Sequence, residues 1–219
     1  MEVDRLKRIR ADYDLIAHDY ALHIGNELEA KPFDREILTD FVHVVPGPGR
    51  VCELGCGPGH VSRFLRECGS DVFGLDLSPR MIEEARRLNP DIEFREGNML
   101  CLDLPDCSLS GIVAFYSIVN LPQDSLPAVF SEMHRVLQPR GLALIAFHIG
   151  DEVLRPGEMW GRPVFMEFLH HPALKIQQLL REAGFAIDEV RERGPYAPEV
   201  EFQSHRAYIL ARKSDAIAS

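Results

Sequence analysis

The chain reads as an α/β fold: a seven-stranded, mostly parallel sheet with helices on both faces. Three observations predict it. From residue 50 onward, short apolar runs alternate with amphipathic segments. The first apolar run, RVCEL (50–54), leads into a turn with glycine at 55, 57 and 59. The last two runs, FAIDEVRER (185–193) and HRAYILAR (205–212), have no helical segment between them and read as an antiparallel pair.

Each element has its own warrant. Residues 4–22 carry Leu6, Ile9, Tyr13, Ile16, Ala17 and Tyr20 at three- and four-residue steps, the period of an amphipathic helix. A second helix is expected over 33–43, after Pro32, and GPG at 47–49 is a turn. After RVCEL come a helix over 58–68 and the strand DVFGLD (71–76). Ser78 and Pro79 supply an N-cap and a first helical residue for a helix to about Leu88. IEFREG and LSGIVAFYS are the third and fourth strands. A helix over 124–137 follows, with QPRG as its stop, then the apolar strand GLALIAFH (141–148). A helix over 172–183 ends at Gly184. Residues 149–171 break the alternation between the fifth strand and its helix, at the strand end where α/β proteins place ligand contacts. Within it, RPVFMEFL could supply a strand that pairs between subunits.

Bulk properties narrow the function. The 219 residues suffice for one domain with a full core, and 46% hydrophobic with 26% charged residues is ordinary globular composition. A net charge of −10 disfavours a polyanionic partner, so nucleic acid is not expected. No apolar run is long enough for a membrane span, and the charged N-terminal segment lacks a signal-peptide core. Five cysteines without paired spacing point to reduced thiols and a cytoplasmic setting. Cys52 and Cys56 lack a third cysteine at 59, and no Cys/His set has zinc-ligand spacing, so no metal is expected.

The glycine loop carries the most specific signal. Glycines let the backbone approach a ligand closely. A dinucleotide fingerprint needs glycine at 55, 57 and 60, but residue 60 is His. Glu53 would repel a pyrophosphate. A nucleoside with a cationic end fits better, and S-adenosylmethionine (SAM) is one. Asp76, 23 residues after Glu53, falls at the tip of the neighbouring strand, where a carboxylate can accept both ribose hydroxyls.

VCELGCGPGH followed by GLDLSPRMIEEAR resembles the first two motifs of the class I SAM-dependent methyltransferases, small bacterial-type members in particular. The resemblance extends through EGNML (96–100), AFYSIVNL (114–121) and EMHRVLQPRGLALIAF (132–147), and spans roughly residues 10–212. It implies a Rossmann-like sheet and one domain over 1–212, with an N-terminal helical lid (1–45), a substrate-cap insertion (149–171) and a disordered tail (213–219). It also implies roles. Glu53 and the loop Gly55, Cys56, Gly57 and Gly59 would hold the methionine end. Asp76 would take the ribose, and Leu77 and Met81 would pack on adenine. Asn98 would meet the adenine edge through its side-chain carbonyl and Met99 through its backbone N–H. Phe115 would lie near the methionine moiety, and Tyr13 and Tyr20 of the lid would reach its carboxylate. Many relatives have Asp in place of Asn98, and Phe-Asp in place of Ser110-Gly111.

The expected reaction is direct displacement of a methyl group onto a small-molecule acceptor, with oxygen or nitrogen as the nucleophile. Such chemistry needs alignment and water exclusion more than a dedicated base. His148 is the first candidate base, with Tyr116 and His205 behind it. Asn120, Trp160 and His205 are expected around the acceptor, while His170 and His171 read as surface or cap residues. The Asn/Asp-Pro-Pro-Tyr signature of adenine and amide methylases is absent after the fourth strand, where FYSI stands. The alternatives are a SAM- or S-adenosylhomocysteine-binding protein without catalysis and, less favoured, a dinucleotide-dependent reductase. The quaternary expectation is a monomer or homodimer.

Overall fold

The computed structural model describes residues 2–214. Two helices, α1 (Glu2–Ile24) and α2 (Pro32–Val44), precede an alternating series: β1 (Arg50–Leu54), α3 (His60–Glu67), β2 (Val72–Asp76), α4 (Pro79–Leu88) and β3 (Glu93–Glu96). Then come β4 (Leu109–Phe115), α5 (Leu126–Val136) and β5 (Leu137–His148). Four two-residue strands follow, β6 (Val153–Leu154), β7 (Glu158–Met159), β8 (Arg162–Pro163) and β9 (Phe168–Leu169), and the chain closes with α6 (Ala173–Glu182), β10 (Phe185–Arg193) and β11 (Arg206–Lys213). The main sheet has seven strands in the order β10-β11-β5-β4-β1-β2-β3. All neighbours are parallel except β11, which runs antiparallel to both β5 and β10. This is the expected seven-stranded, mostly parallel, Rossmann-like sheet.

The strand period of two decides which side chains reach which face. Cys52 and Leu54 of β1 join Ile112, Ala114, Ile145 and Phe147 in a core covered by α5 and α6. Val51, Val113, Phe115, Leu144 and Ala146 face the other way, into a core with Phe41 of α2 and Val61 and Leu65 of α3. Glu53 shares the second face, which carries it toward α3. The small Ser110-Gly111 pair has a packing role: a Cβ at Gly111 would sit 2.9 Å from the Phe41 ring. A third cluster, with Ile16 and Ala17 of α1, Met81 of α4, and Val164 and Met166 of the insertion, holds the lid helix over the sheet's carboxyl end.

Three local expectations are corrected. The QPRG stop lies inside β5, where Arg140 adopts a φ of +64° and a register irregularity absorbs the extra residues. RPVFMEFL pairs within its own chain: Arg162–Pro163 with β7, and Phe168–Leu169 with β6. Strand β11 runs through Lys213, whose Nζ donates to the Leu137 carbonyl at 2.8 Å. The rest of the expected tail, 215–219, lies outside the described residues. His170 and His171, expected as surface or cap residues, are buried at the end of the cap insertion, at 6% and 0% exposure. Among the described residues, no helix is long and apolar enough to cross a membrane, and no cluster of three or more His, Cys, Asp or Glu could hold a metal ion.

Candidate active site

A cleft opens at the carboxyl end of β1, β2 and β4, under α1. The Gly55 and Cys56 amides both donate to the Leu75 carbonyl, at 2.7 and 3.0 Å, and tie the loop to β2. A Cβ on Gly55 would come within 2.4 Å of the Ser117 Cβ, so this approach requires glycine. Past Gly57 (φ +51°) the nearest atom to a built Cβ is a Tyr20 ring carbon at 3.8 Å, so the backbone there borders open space. Gly59 differs. Its φ is +82° and an added Cβ would strike the Phe94 ring at 2.6 Å, but it does not line the cleft. The expected ligand contact at Gly59 is therefore corrected to a packing role at the start of α3.

Asp76 closes the opposite wall. Its two oxygens accept from the Gly57 and Ser78 amides, each at 2.8 Å. Burial nevertheless pushes its pKa up to about 6, against the lowering effect of these bonds. The Ser78 hydroxyl caps α4 through the Met81 amide at 3.0 Å and donates to Asp14 of α1 at 2.6 Å. One residue thereby starts a helix and fastens the lid.

Glu53 is 2% exposed and accepts from the Ser62 hydroxyl. Burial raises its pKa to about 7, with His60 and Ser62 opposing. Among the described residues, no cation forms an ion pair with it. Glu27 provides the contrast. Burial works against its ionisation too, but His60 at 3.0 Å and Lys31 at 2.5 Å outweigh it and bring its pKa to about 2.

Tyr13, Tyr20, Leu77, Met81, Asn98, Met99 and Phe115 all line this cleft. The Tyr13 hydroxyl donates to Asn120 Oδ1 at 2.8 Å, and Asn120 Nδ2 donates to the Glu167 carbonyl at 2.9 Å. Asn120 therefore latches the lid to the insertion instead of facing an acceptor as a free group. Asn98 Oδ1 accepts the Leu100 amide at 3.0 Å. The expected carbonyl contact to adenine is thus already engaged in a local turn, and the side-chain NH2 is the group without a protein partner in the described contacts.

A second, larger cavity abuts the first, and Tyr13, Tyr20, Glu27 and Tyr116 line both. Trp160 forms part of its wall, stacked on His23 at 4.7 Å and edge-on to Tyr20 at 5.8 Å. His148 lines it too. Its Nδ1 lies 2.6 Å from the Ser204 hydroxyl and its ring stacks on His170 at 5.3 Å. Burial, then Arg206 and His170, lower the His148 pKa to about 3, so the imidazole is neutral at physiological pH. The Tyr116 hydroxyl is engaged by Tyr208 at 2.7 Å and Asp34 at 3.2 Å, and burial with Asp34 keeps it protonated. Tyr116 is accordingly a shared wall, not a free base. His205 is exposed and lines neither cavity, which corrects its placement near the acceptor.

Sequence reasoning missed Glu27, His60 and Ser117 in the first cavity and Lys31, Glu201 and Arg206 in the second. His60 was read only as a broken glycine fingerprint. Ser117 follows β4 directly, while Glu27 and Lys31 at the entry to α2 and Glu201 and Arg206 before and at the start of β11 converge only in three dimensions.

Comparison with known proteins agrees with this geometry. Residues 51–141 match the family described as "Methyltransferase domain". The malonyl-[acyl-carrier protein] O-methyltransferase of Serratia marcescens is 32% identical over 114 residues, 52% of this chain and 44% of that protein. The 2-methyl-6-phytyl-1,4-hydroquinone methyltransferase of Synechocystis is 30% identical over 174 residues, 71% of this chain and 54% of that protein. The chain thus spans about half the length of the curated relatives it matches first. Among solved structures, the 1,6-didemethyltoxoflavin-N1-methyltransferase of Burkholderia thailandensis, crystallised with its substrate and S-adenosylhomocysteine, shares the fold with a TM-score of 0.71 at 18% identity. That alignment covers 98% of this chain and 91% of the other. The matched segment holds the glycine loop, Glu53, Asp76 and Phe115, so the likeness to methyltransferases falls on the residues that build the first cavity.

Proposed function

We propose that this protein binds SAM in the first cavity and transfers its methyl group to the oxygen or nitrogen of a small molecule held in the second. The observation that carries the reading is the junction of the two cavities, where Tyr13, Tyr20, Glu27 and Tyr116 are common to both. A donor site and an acceptor site that share a wall are what direct displacement requires.

The residues fit the cofactor. Glu53 is a buried carboxylate with a raised pKa and no ion-pair partner among the described residues, a condition that a ligand ammonium relieves. Asp76 has one backbone donor on each oxygen and keeps further acceptor capacity for ribose hydroxyls. Leu77, Met81 and Met99 offer an apolar bed for a base. When bound, SAM supplies an activated methyl group with a neutral thioether as leaving group.

The chain's own residues do the rest. The α1 lid, fixed through Tyr13–Asn120 and Asp14–Ser78, excludes water from the junction. His148, neutral above a pH of about 3, accepts a hydrogen bond from an acceptor hydroxyl or amine through Nε2 when Nδ1–H is given to Ser204. So low a pKa makes it a weak base, which favours an acceptor that is already nucleophilic or ionised. The relatives named above act on small or carrier-bound acceptors, in line with a small-molecule substrate.

Calorimetric titration tests the reading. SAM and S-adenosylhomocysteine should bind at micromolar concentration while NADH does not; binding of NADH alone contradicts it.

A further inference from the structure

We infer that Asn98 offers the base of the bound nucleoside a hydrogen-bond donor, not an acceptor, and that the first cavity therefore holds an adenine and a hypoxanthine nucleoside with similar affinity. The inference rests on the SAM reading above and concerns the base specificity of the same site.

The turn after β3 carries it. The Gly97 amide donates to the Asp76 carbonyl at 2.8 Å, which sets this turn beside the carboxylate that receives the ribose in that reading. Asn98 opens the turn. Its backbone carbonyl accepts the Cys101 amide and its Oδ1 accepts the Leu100 amide, both at 3.0 Å. Only the oxygen of the side chain can accept an N–H, so the second bond fixes which end of Asn98 is engaged. The NH2 end is left over. It has no protein partner among the described residues, and it is not buried, so it stays open to solvent on a residue that lines the cavity. Glu53 takes the ammonium and Asp76 the ribose, so the base falls past Asp76, against Leu77, Met81 and Met99. Asn98 stands in that same wall.

Hydrogen-bond complementarity then sets the preference. Adenine presents an amine donor at C6 beside an acceptor at N1. Hypoxanthine presents a 6-oxo acceptor beside an N1–H donor. The groups available to face them are the Asn98 NH2 and the Met99 amide, which also has no partner among the described residues. Both are donors. Adenine matches the Met99 amide at N1 and sets its amine against the Asn98 NH2. Hypoxanthine matches the Asn98 NH2 at its 6-oxo group and sets N1–H against the Met99 amide. Each base gains one bond and meets one conflict, so neither is rejected. An aspartate at position 98 would accept the Leu100 amide with one oxygen and present the other to the base. Adenine would then match twice and hypoxanthine not at all, the condition under which a polar site rejects an analogue strongly.

The test titrates the full chain at pH 8 with S-adenosylhomocysteine and S-inosylhomocysteine, which differ only in the base. The ratio of their dissociation constants cancels the contributions of Glu53 and Asp76, which are common to both. Wild type should bind the two within ~10-fold of each other, and Asn98→Asp should move the ratio toward adenine by at least ~10-fold. The aspartate keeps an acceptor for the Leu100 amide, so the variant retains the turn, and the wild-type ratio is read without any variant. A wild-type preference for either base beyond that range, or a smaller shift in Asn98→Asp, would overturn the inference. A wild-type chain that binds neither nucleoside would instead remove the SAM reading beneath it.

Discussion

The two cavities meet at one wall but are built in opposite ways. The first is formed largely by contiguous pieces of chain: β1 with its glycine loop, the tip of β2 with the α4 cap, and the turn after β3. The second is assembled from α1, the entry to α2, the insertion after β5 and the loop before β11. Their carboxylates differ as well. Glu53 and Asp76 lie in the first with pKa values pushed up to about 7 and about 6. Glu27 lies on the shared wall and Glu201 at the second, and despite burial their cationic neighbours hold both below the usual carboxylate range. Glu53 and Asp76 thus have no ion-pair partner among the described residues, whereas Glu27 pairs with His60 and Lys31, and Glu201 with Arg193 and Arg206.

Asp76→Ala should break the first cavity most severely. It removes the partner of the Gly57 and Ser78 amides and any ribose contact, and should weaken S-adenosylhomocysteine binding by about 1–3 kcal/mol, read by calorimetry. Glu53→Gln should separate stability from binding. The folded chain keeps the Glu53 and Asp76 protons after the unfolded chain has released them. Both groups therefore favour folding at low pH, and that contribution fades as pH rises from about 4 through about 7. Thermal melting at pH 8 should show the ligand-free Glu53→Gln variant more stable than wild type by roughly 1–2 kcal/mol, although it binds the nucleoside more weakly.

Gly59→Ala sharpens the assignment within the loop. Its positive φ and the Phe94 contact at 2.6 Å should cost about 1–3 kcal/mol in denaturant unfolding, while affinity per folded molecule stays near wild type. Tyr13→Phe should have the smallest effect. Loss of the bond to Asn120 should weaken lid closure by about 1 kcal/mol, seen as a several-fold rise in the S-adenosylhomocysteine dissociation constant.

The contrast also explains what could be read from the chain. The alternation of strands and helices, the lid helix, and Glu53 and Asp76 beside the glycine loop were legible because short-range patterns encode them: apolar period, a helix cap, glycines after a strand; Met81 and Phe115 were reached only through the family resemblance. Gly59 was misassigned because a glycine needed for packing on Phe94 looks the same in sequence as one needed for a ligand. The Asn98 carbonyl turned inward because its own turn offered the Leu100 amide. Arg206, Lys31 and Glu201 were invisible, since residues 31 and 206 come together only around the Glu201 carboxylate and no local pattern records the encounter. His170 and His171 read as surface or cap residues, and ring stacking and the Ile118 carbonyl account for their burial in the cap.

The central claim is that the Glu53 carboxylate receives the cationic end of the ligand. Titration of S-adenosylhomocysteine into wild type and Glu53→Gln at pH 6 and pH 8 tests it most directly. Ionisation of a group with a pKa of about 7 should strengthen wild-type binding several-fold between these pH values, by more than any rise left in Glu53→Gln from Asp76 alone. Equal affinity of the two proteins at pH 8, with the same pH dependence, would contradict the account.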